Sequence, residues 1–76
     1  MIIHMEDSII FEVNEIRYQD GRIFIIYGGN NFKTIGDKLD KVKTESCIRD
    51  IYNAVCDGYD KIELTRDVLE RLREGS

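Results

Sequence analysis

The sequence predicts an α+β domain: a three-stranded antiparallel meander, its first hairpin at Asp20-Gly21, with two α-helices packed on it. Three observations lead there. An Asp-Gly pair separates two runs rich in β-branched and aromatic residues, and a two-residue type I′ turn needs the positive φ that Asp and Gly tolerate best. A second turn signal, Gly28-Gly29-Asn30-Asn31, follows the return run. Beyond Lys43 the apolar residues recur twice at helical spacing, each time behind a threonine suited to cap a helix.

Met1 to Asp7 contains Ile2-Ile3, which reads as a short edge strand or a flexible lead. Ile9, Phe11 and Val13 then alternate as one face of a strand, but Ile16 and Tyr18 continue on the opposite parity. Such a phase switch predicts a β-bulge or a bend near Asn14-Glu15, or a tight turn there between two short strands. Across the Asp20-Gly21 turn, hairpin geometry pairs Tyr18 with Ile23, Ile16 with Ile25 and Asn14 with Tyr27. On the other face Arg17 opposes Phe24 and Glu15 opposes Ile26. The return strand, Arg22 to Tyr27, is therefore apolar on both sides. Strands of that kind lie centrally and have both faces covered. Two short helices cover both sides with difficulty, so a homodimer burying the second face is expected. Phe32 to Ile35 completes the meander.

Gly36 to Lys43 is a polar connection or one helical turn, with Leu39 and Val42 isolated in it. A helix is expected from Thr44 as N-cap, with Ile48, Ile51, Tyr52 and Val55 on its buried stripe and Gly58 closing it. Tyr59 to Leu64 reads as an extended link or short strand. The last helix begins at Thr65, where Leu64 and Leu69 match a hydrophobic staple, and Val68, Leu69 and Leu72 form its apolar stripe before Gly75. No repeat, low-complexity tract or linker divides the chain, so residues 1–76 read as one small domain.

Composition narrows the function classes. A chain of 76 residues has little interior to spare for a large enclosed pocket. Its longest apolar run, Ile23 to Tyr27, is too short to span a bilayer, and no secretory pattern precedes it, so a cytoplasmic protein is expected. Cys47 and Cys56 fall within one expected helix, about 13 Å apart along its axis. That separation excludes a disulfide between them, and no histidine or further cysteine completes a zinc set, so both read as buried or half-buried structural thiols. Net charge is −4, unevenly spread: residues 1–32 carry five acids against two bases, 33–43 four lysines against two acids, 44–64 five acids against two bases.

His4 has no serine, cysteine or carboxylate tied to it by spacing, and general acid-base or nucleophilic work needs such a pairing. No catalytic residue, metal site or cofactor is therefore expected. On the last helix, Arg66 with Glu70 and Asp67 with Arg71 stand at i+4 and can neutralise one another, and Glu74 shares a face with Asp67 and Glu70. The first helix is not neutralised in this way. Asp50, Asn53 and Asp57 share its outer face, and Asp60 and Glu63 extend the acidic run. That pattern suits docking on a basic partner, and in its extreme form mimics the DNA phosphate backbone toward a nucleic-acid-binding protein.

The competing pattern is Lys33, Lys38, Lys41 and Lys43 beside the aromatic residues Tyr18, Phe24, Tyr27 and Phe32, an arrangement that can bind single-stranded nucleic acid. Asp37 and Asp40 halve its charge, and core packing accounts better for the aromatics. Residues and spacing together point to a small acidic, non-catalytic interaction module that binds and regulates or inhibits another protein. A small nucleic-acid-binding regulator using the lysine loop is the alternative.

Overall fold

The computed structural model describes residues 1–73, so the expected roles of Glu74 and Gly75 lie outside the described residues. In chain order the elements are β1 (Ile2–His4), β2 (Ile9–Ile10), β3 (Val13–Gln19), β4 (Arg22–Tyr27), β5 (Asn31–Ile35), α1 (Lys41–Cys56), β6 (Lys61–Glu63) and α2 (Arg66–Leu72). The class is α+β as expected. The meander is there as β3-β4-β5, but it is one of two three-stranded sheets, the other having the order β2-β1-β6.

The second sheet is the main departure from the sequence reading. Ile2–His4 pairs antiparallel with β2 and parallel with β6, so the segment read as an edge strand or a lead is the centre of a sheet. Its partner β6 lies almost sixty positions away along the chain, and a pairing of that range leaves no trace in local periodicity. The expected continuous strand from Ile9 to Val13 also fails. Glu12 takes φ 54, a left-handed conformation that breaks the strand. Ile10 and Val13 consequently turn inward, at 5% and 8% exposure, while Ile9 and Phe11 face out at 48% and 58%.

The first hairpin follows its turn chemistry. Asp20 and Gly21 take φ 51 and 79, and β3 and β4 pair as Gln19↔Arg22, Tyr18↔Ile23, Arg17↔Phe24, Ile16↔Ile25 and Glu15↔Ile26. Register shifts between Val13 and Glu15, so Tyr27 stands opposite Val13 instead of Asn14. The bulge at Asn14 drops one residue out of the ladder and brings Val13 back to the buried side.

Helix α1 starts one turn earlier than its pattern suggests. Asp40, not Thr44, is the N-cap, and its carboxylate accepts the Lys43 N–H at 2.9 Å. Thr44 instead lies fully buried inside the helix, and its hydroxyl has no hydrogen-bond partner among the described residues. The apolar positions are satisfied either way, since Thr44, Ile48 and Ile51 share the inward face. Gly58, at φ 105, closes the helix as expected. In α2, Thr65 is the N-cap residue, with Leu64 buried ahead of it.

One hydrophobic cluster joins both sheets and both helices: Ile3, Ile10, Val13, Ile16, Ile23, Ile25, Leu39, Ile48, Ile51, Leu64 and Leu72. Leu39, isolated in a polar stretch of sequence, is buried because its N–H bonds the Gly21 carbonyl (2.8 Å) and because Asp40 N–H bonds the Leu72 carbonyl (2.6 Å), which fixes the connection against both a hairpin and α2. Among the described residues, no helix is long and apolar enough to cross a membrane.

Candidate functional site

Helix α1 sets out the first candidate surface. With Thr44, Ile48 and Ile51 inward, the i, i+3, i+7 spacing puts Asp50, Asn53 and Asp57 together on the opposite, exposed side. Asp57 is the C-cap residue, its N–H bonded to the carbonyls of Asn53 (3.0 Å) and Ala54 (3.1 Å). Gly58 then turns the chain, and the Asp60 carbonyl accepts the Ile2 N–H at 2.6 Å, which anchors the helix exit on β1. Asp60 is exposed three residues after the helix cap. Glu63 is exposed on β6, about 10 Å further along extended chain.

Two electrostatic features mark this surface. Among the described residues, Asp50, Asp57, Asp60 and Glu63 enter no ion pair, whereas Arg17 pairs with Glu15 at 3.5 Å and Arg66 with Glu6 at 3.7 Å. In addition, α1 has no acidic residue in its first turn and no basic residue in its last. Lys41 and Lys43 stand in the first turn beside the Asp40 cap, and Asp57 caps the other end, where a carboxylate opposes the helix dipole. Lys43 stands seven positions before Asp50, so the outer stripe is basic at one end and acidic at the other. The stripe also reaches inward: burial first, and then the Asp50 carboxylate, push the Cys47 thiol above its ordinary range, against a smaller opposing pull from Arg71. Cys47 is half-buried as expected, but Cys56 is exposed, because it falls off the inward stripe.

The lysines do not form one surface. Lys33 pairs with the buried Ile25 on the inner side of β5. Lys38 takes φ 56 against the Gly21 turn, and Lys41 and Lys43 lie on the first turn of α1. Nor do the aromatics act as one set. Tyr18 and Tyr27 pack against the core cluster, and the Tyr18 hydroxyl donates to the Leu39 carbonyl at 3.1 Å. Phe24 and Phe32, expected in the core, stand instead on the outer face of the sheet with ring centroids 5.2 Å apart and planes 26° from parallel. The Arg17 guanidinium lies 5.0 Å from the Phe24 centroid, and Phe32 is 65% exposed. Strand parity carries this assignment: Phe24 alternates with the buried Ile23 and Ile25, and on that second face of β4 it meets Arg17 and Phe32 from the neighbouring strands.

On α2, Arg66 reaches Glu6 in place of the expected Glu70, and Arg71 Nε donates to the Asp67 carbonyl at 3.3 Å. A groove of about 510 Å³ lies between α2, the β1–β2 turn and β5, and a hollow of about 430 Å³ lies between β2 and the Tyr27–Lys33 end of the meander. Both are open, and Lys33 lines both. His4 sits half-buried in the central strand of its sheet. Among the described residues no three His, Cys, Asp or Glu side chains gather as a metal site. No family model, curated protein or solved structure matches this chain.

Proposed function

We propose that the protein is a non-catalytic interaction module that binds a basic surface on another protein, and so regulates or inhibits it, through Asp50, Asn53, Asp57, Asp60 and Glu63. The observation that carries this reading is the set of four exposed carboxylates that form no ion pair among the described residues, one of which, Asp57, caps a helix terminus whose dipole disfavours it. Charge held against the local field stabilises nothing inside the chain. It does suit long-range attraction of a cationic partner, where complementary potential speeds encounter and selects the partner. A protein that binds nucleic acid is such a partner, since its site already accepts a run of negative charge.

The alternative, nucleic acid bound directly by Lys33, Lys38, Lys41 and Lys43, is less favoured because Lys33 and the Phe24–Phe32 pair occupy opposite faces of one sheet. Affinity capture from lysate with the tagged protein, eluted in steps of rising salt and identified by mass spectrometry, tests the choice. Recovery of a basic or nucleic-acid-binding protein that salt releases and DNA displaces supports the acidic docking surface. Recovery of nucleic acid itself counts against it.

A further inference from the structure

The edge of β3 is closed in part by other elements. Tyr52 covers β3 at Ile16, and the Met1 carbonyl accepts the Val13 N–H at 3.0 Å. Strand β5 differs. In its antiparallel ladder with β4, the residues paired through both backbone bonds are Asn31, Lys33 and Ile35. The N–H and C=O groups of Phe32 and Thr34 therefore point away from the sheet, and among the described residues nothing bonds them. The exposed ring of Phe32 stands on the outer side of this open edge. Lys33, half-buried and in no ion pair among the described residues, stands on its inner side and lines both the groove and the hollow.

We propose that the β5 edge is a strand-addition site for an extended segment of a different protein, one that places an acidic residue opposite Lys33 and apolar residues against Phe32. Free backbone donors and acceptors supply the pairing, and alternate side chains supply the selection. A second copy of this chain is a poor occupant. The symmetric antiparallel register that uses both free residues pairs Phe32 with Thr34 of the second copy and sets Lys33 directly opposite its own counterpart. Like charges directly opposed across strands destabilise the pair, and an edge lysine is a common guard against self-pairing. An acid at that position reverses the sign and gives the Lys33 ammonium the partner it lacks. Glu6, Asp7, Asp37 and Glu70 also line the groove, but Glu6 is held by Arg66, and none of the four is on β5 itself.

Two synthetic peptides test this, Ser-Thr-Val-Glu-Ile-Thr-Ser and its counterpart with Lys in place of Glu, titrated into the isotopically labelled full chain while amide shifts and hydrogen exchange are followed by NMR. The Glu peptide is expected to shift and protect the amides of Phe32 and Thr34 and to bind about three- to fivefold more tightly than the Lys peptide. Lys33→Glu is expected to reverse that preference, and the unchanged remainder of its spectrum shows that the fold persists. The proposal is overturned if neither peptide protects these two amides, if Lys33→Glu leaves the preference as it was, or if the amides become protected with rising protein concentration and no peptide. The last outcome would identify a second copy as the occupant. None of these results depends on the acidic face of α1.

Discussion

The Tyr52 hydroxyl closes the open edge of β3: it accepts the Ile16 N–H at 2.7 Å and donates to the Ile16 carbonyl at 3.2 Å. Ile16 belongs to a pair whose backbone groups face away from β4, so without Tyr52 both would be left half-buried and unpaired. One side chain of α1 thus joins the helix to the sheet by satisfying the main chain as well as by packing.

Tyr52→Phe removes that hydroxyl and leaves the ring in place. Urea unfolding should show a loss of about 1–3 kcal/mol with an unchanged slope, the cost of an unsatisfied backbone pair. A loss below about 0.3 kcal/mol would mean that water replaces the hydroxyl at the β3 edge.

Asp40→Ala should destabilise the chain and Thr44→Val should not. The first removes the N-cap bond to Lys43 and should cost about 0.5–2 kcal/mol. The second replaces a buried hydroxyl without a partner by a methyl group and should be neutral or stabilising. If Thr44→Val proved the costly change in thermal unfolding, the helix would begin at Thr44 as the sequence pattern suggests.

Gly36→Ala and Gly29→Ala separate backbone strain from packing. Both glycines have left-handed φ, 86 and 89, but an added Cβ at Gly36 would stand 2.7 Å from Leu39 Cδ1, whereas at Gly29 it meets nothing within 4 Å. Gly29→Ala should cost about 1 kcal/mol. Gly36→Ala should cost measurably more, because the buried Leu39 must shift. Equal losses on chemical denaturation would contradict the contact.

The raised Cys47 thiol has a definite pH signature. A folded-state value above the unfolded one contributes stability that is present below the ordinary thiol range and is lost as pH rises through the folded value. Iodoacetamide should therefore modify the exposed Cys56 before Cys47 at mildly alkaline pH, and Asp50→Asn should quicken the modification of Cys47 by removing the negative charge that helps to raise its thiol. Equal rates at both cysteines would show that the burial does not persist in solution.

The parts legible in the sequence are those where local chemistry decides. Asp20-Gly21 defined its turn and register, the parity change at Ile16 located the bulge, and Leu64-Thr65 located the start of α2. The second sheet was not legible, because β1 and β6 meet only through long-range parallel pairing and each is three residues long. Thr44 resembled an N-cap because Asp40 was hidden among lysines, and only the burial of Leu39 brings the helix start back to it. Of the candidate site, the helical stripe Asp50, Asn53 and Asp57 followed from spacing. The Phe24–Phe32 face was also within reach, since Arg22 to Tyr27 is apolar on both sides, but residue type favoured a core assignment over the parity that sets them outside.

The most direct measurement is the affinity of a captured partner for the wild-type chain and for the triple variant Asp50→Lys, Asp57→Lys and Asp60→Lys, determined by titration calorimetry across a range of salt. Wild-type affinity should fall as salt rises, and the variant should bind at least about tenfold more weakly at low salt while keeping its circular dichroism spectrum. Undiminished binding by the variant, with loss on Lys38→Glu, Lys41→Glu and Lys43→Glu together, would contradict docking through the acidic face and assign the contact to the lysines.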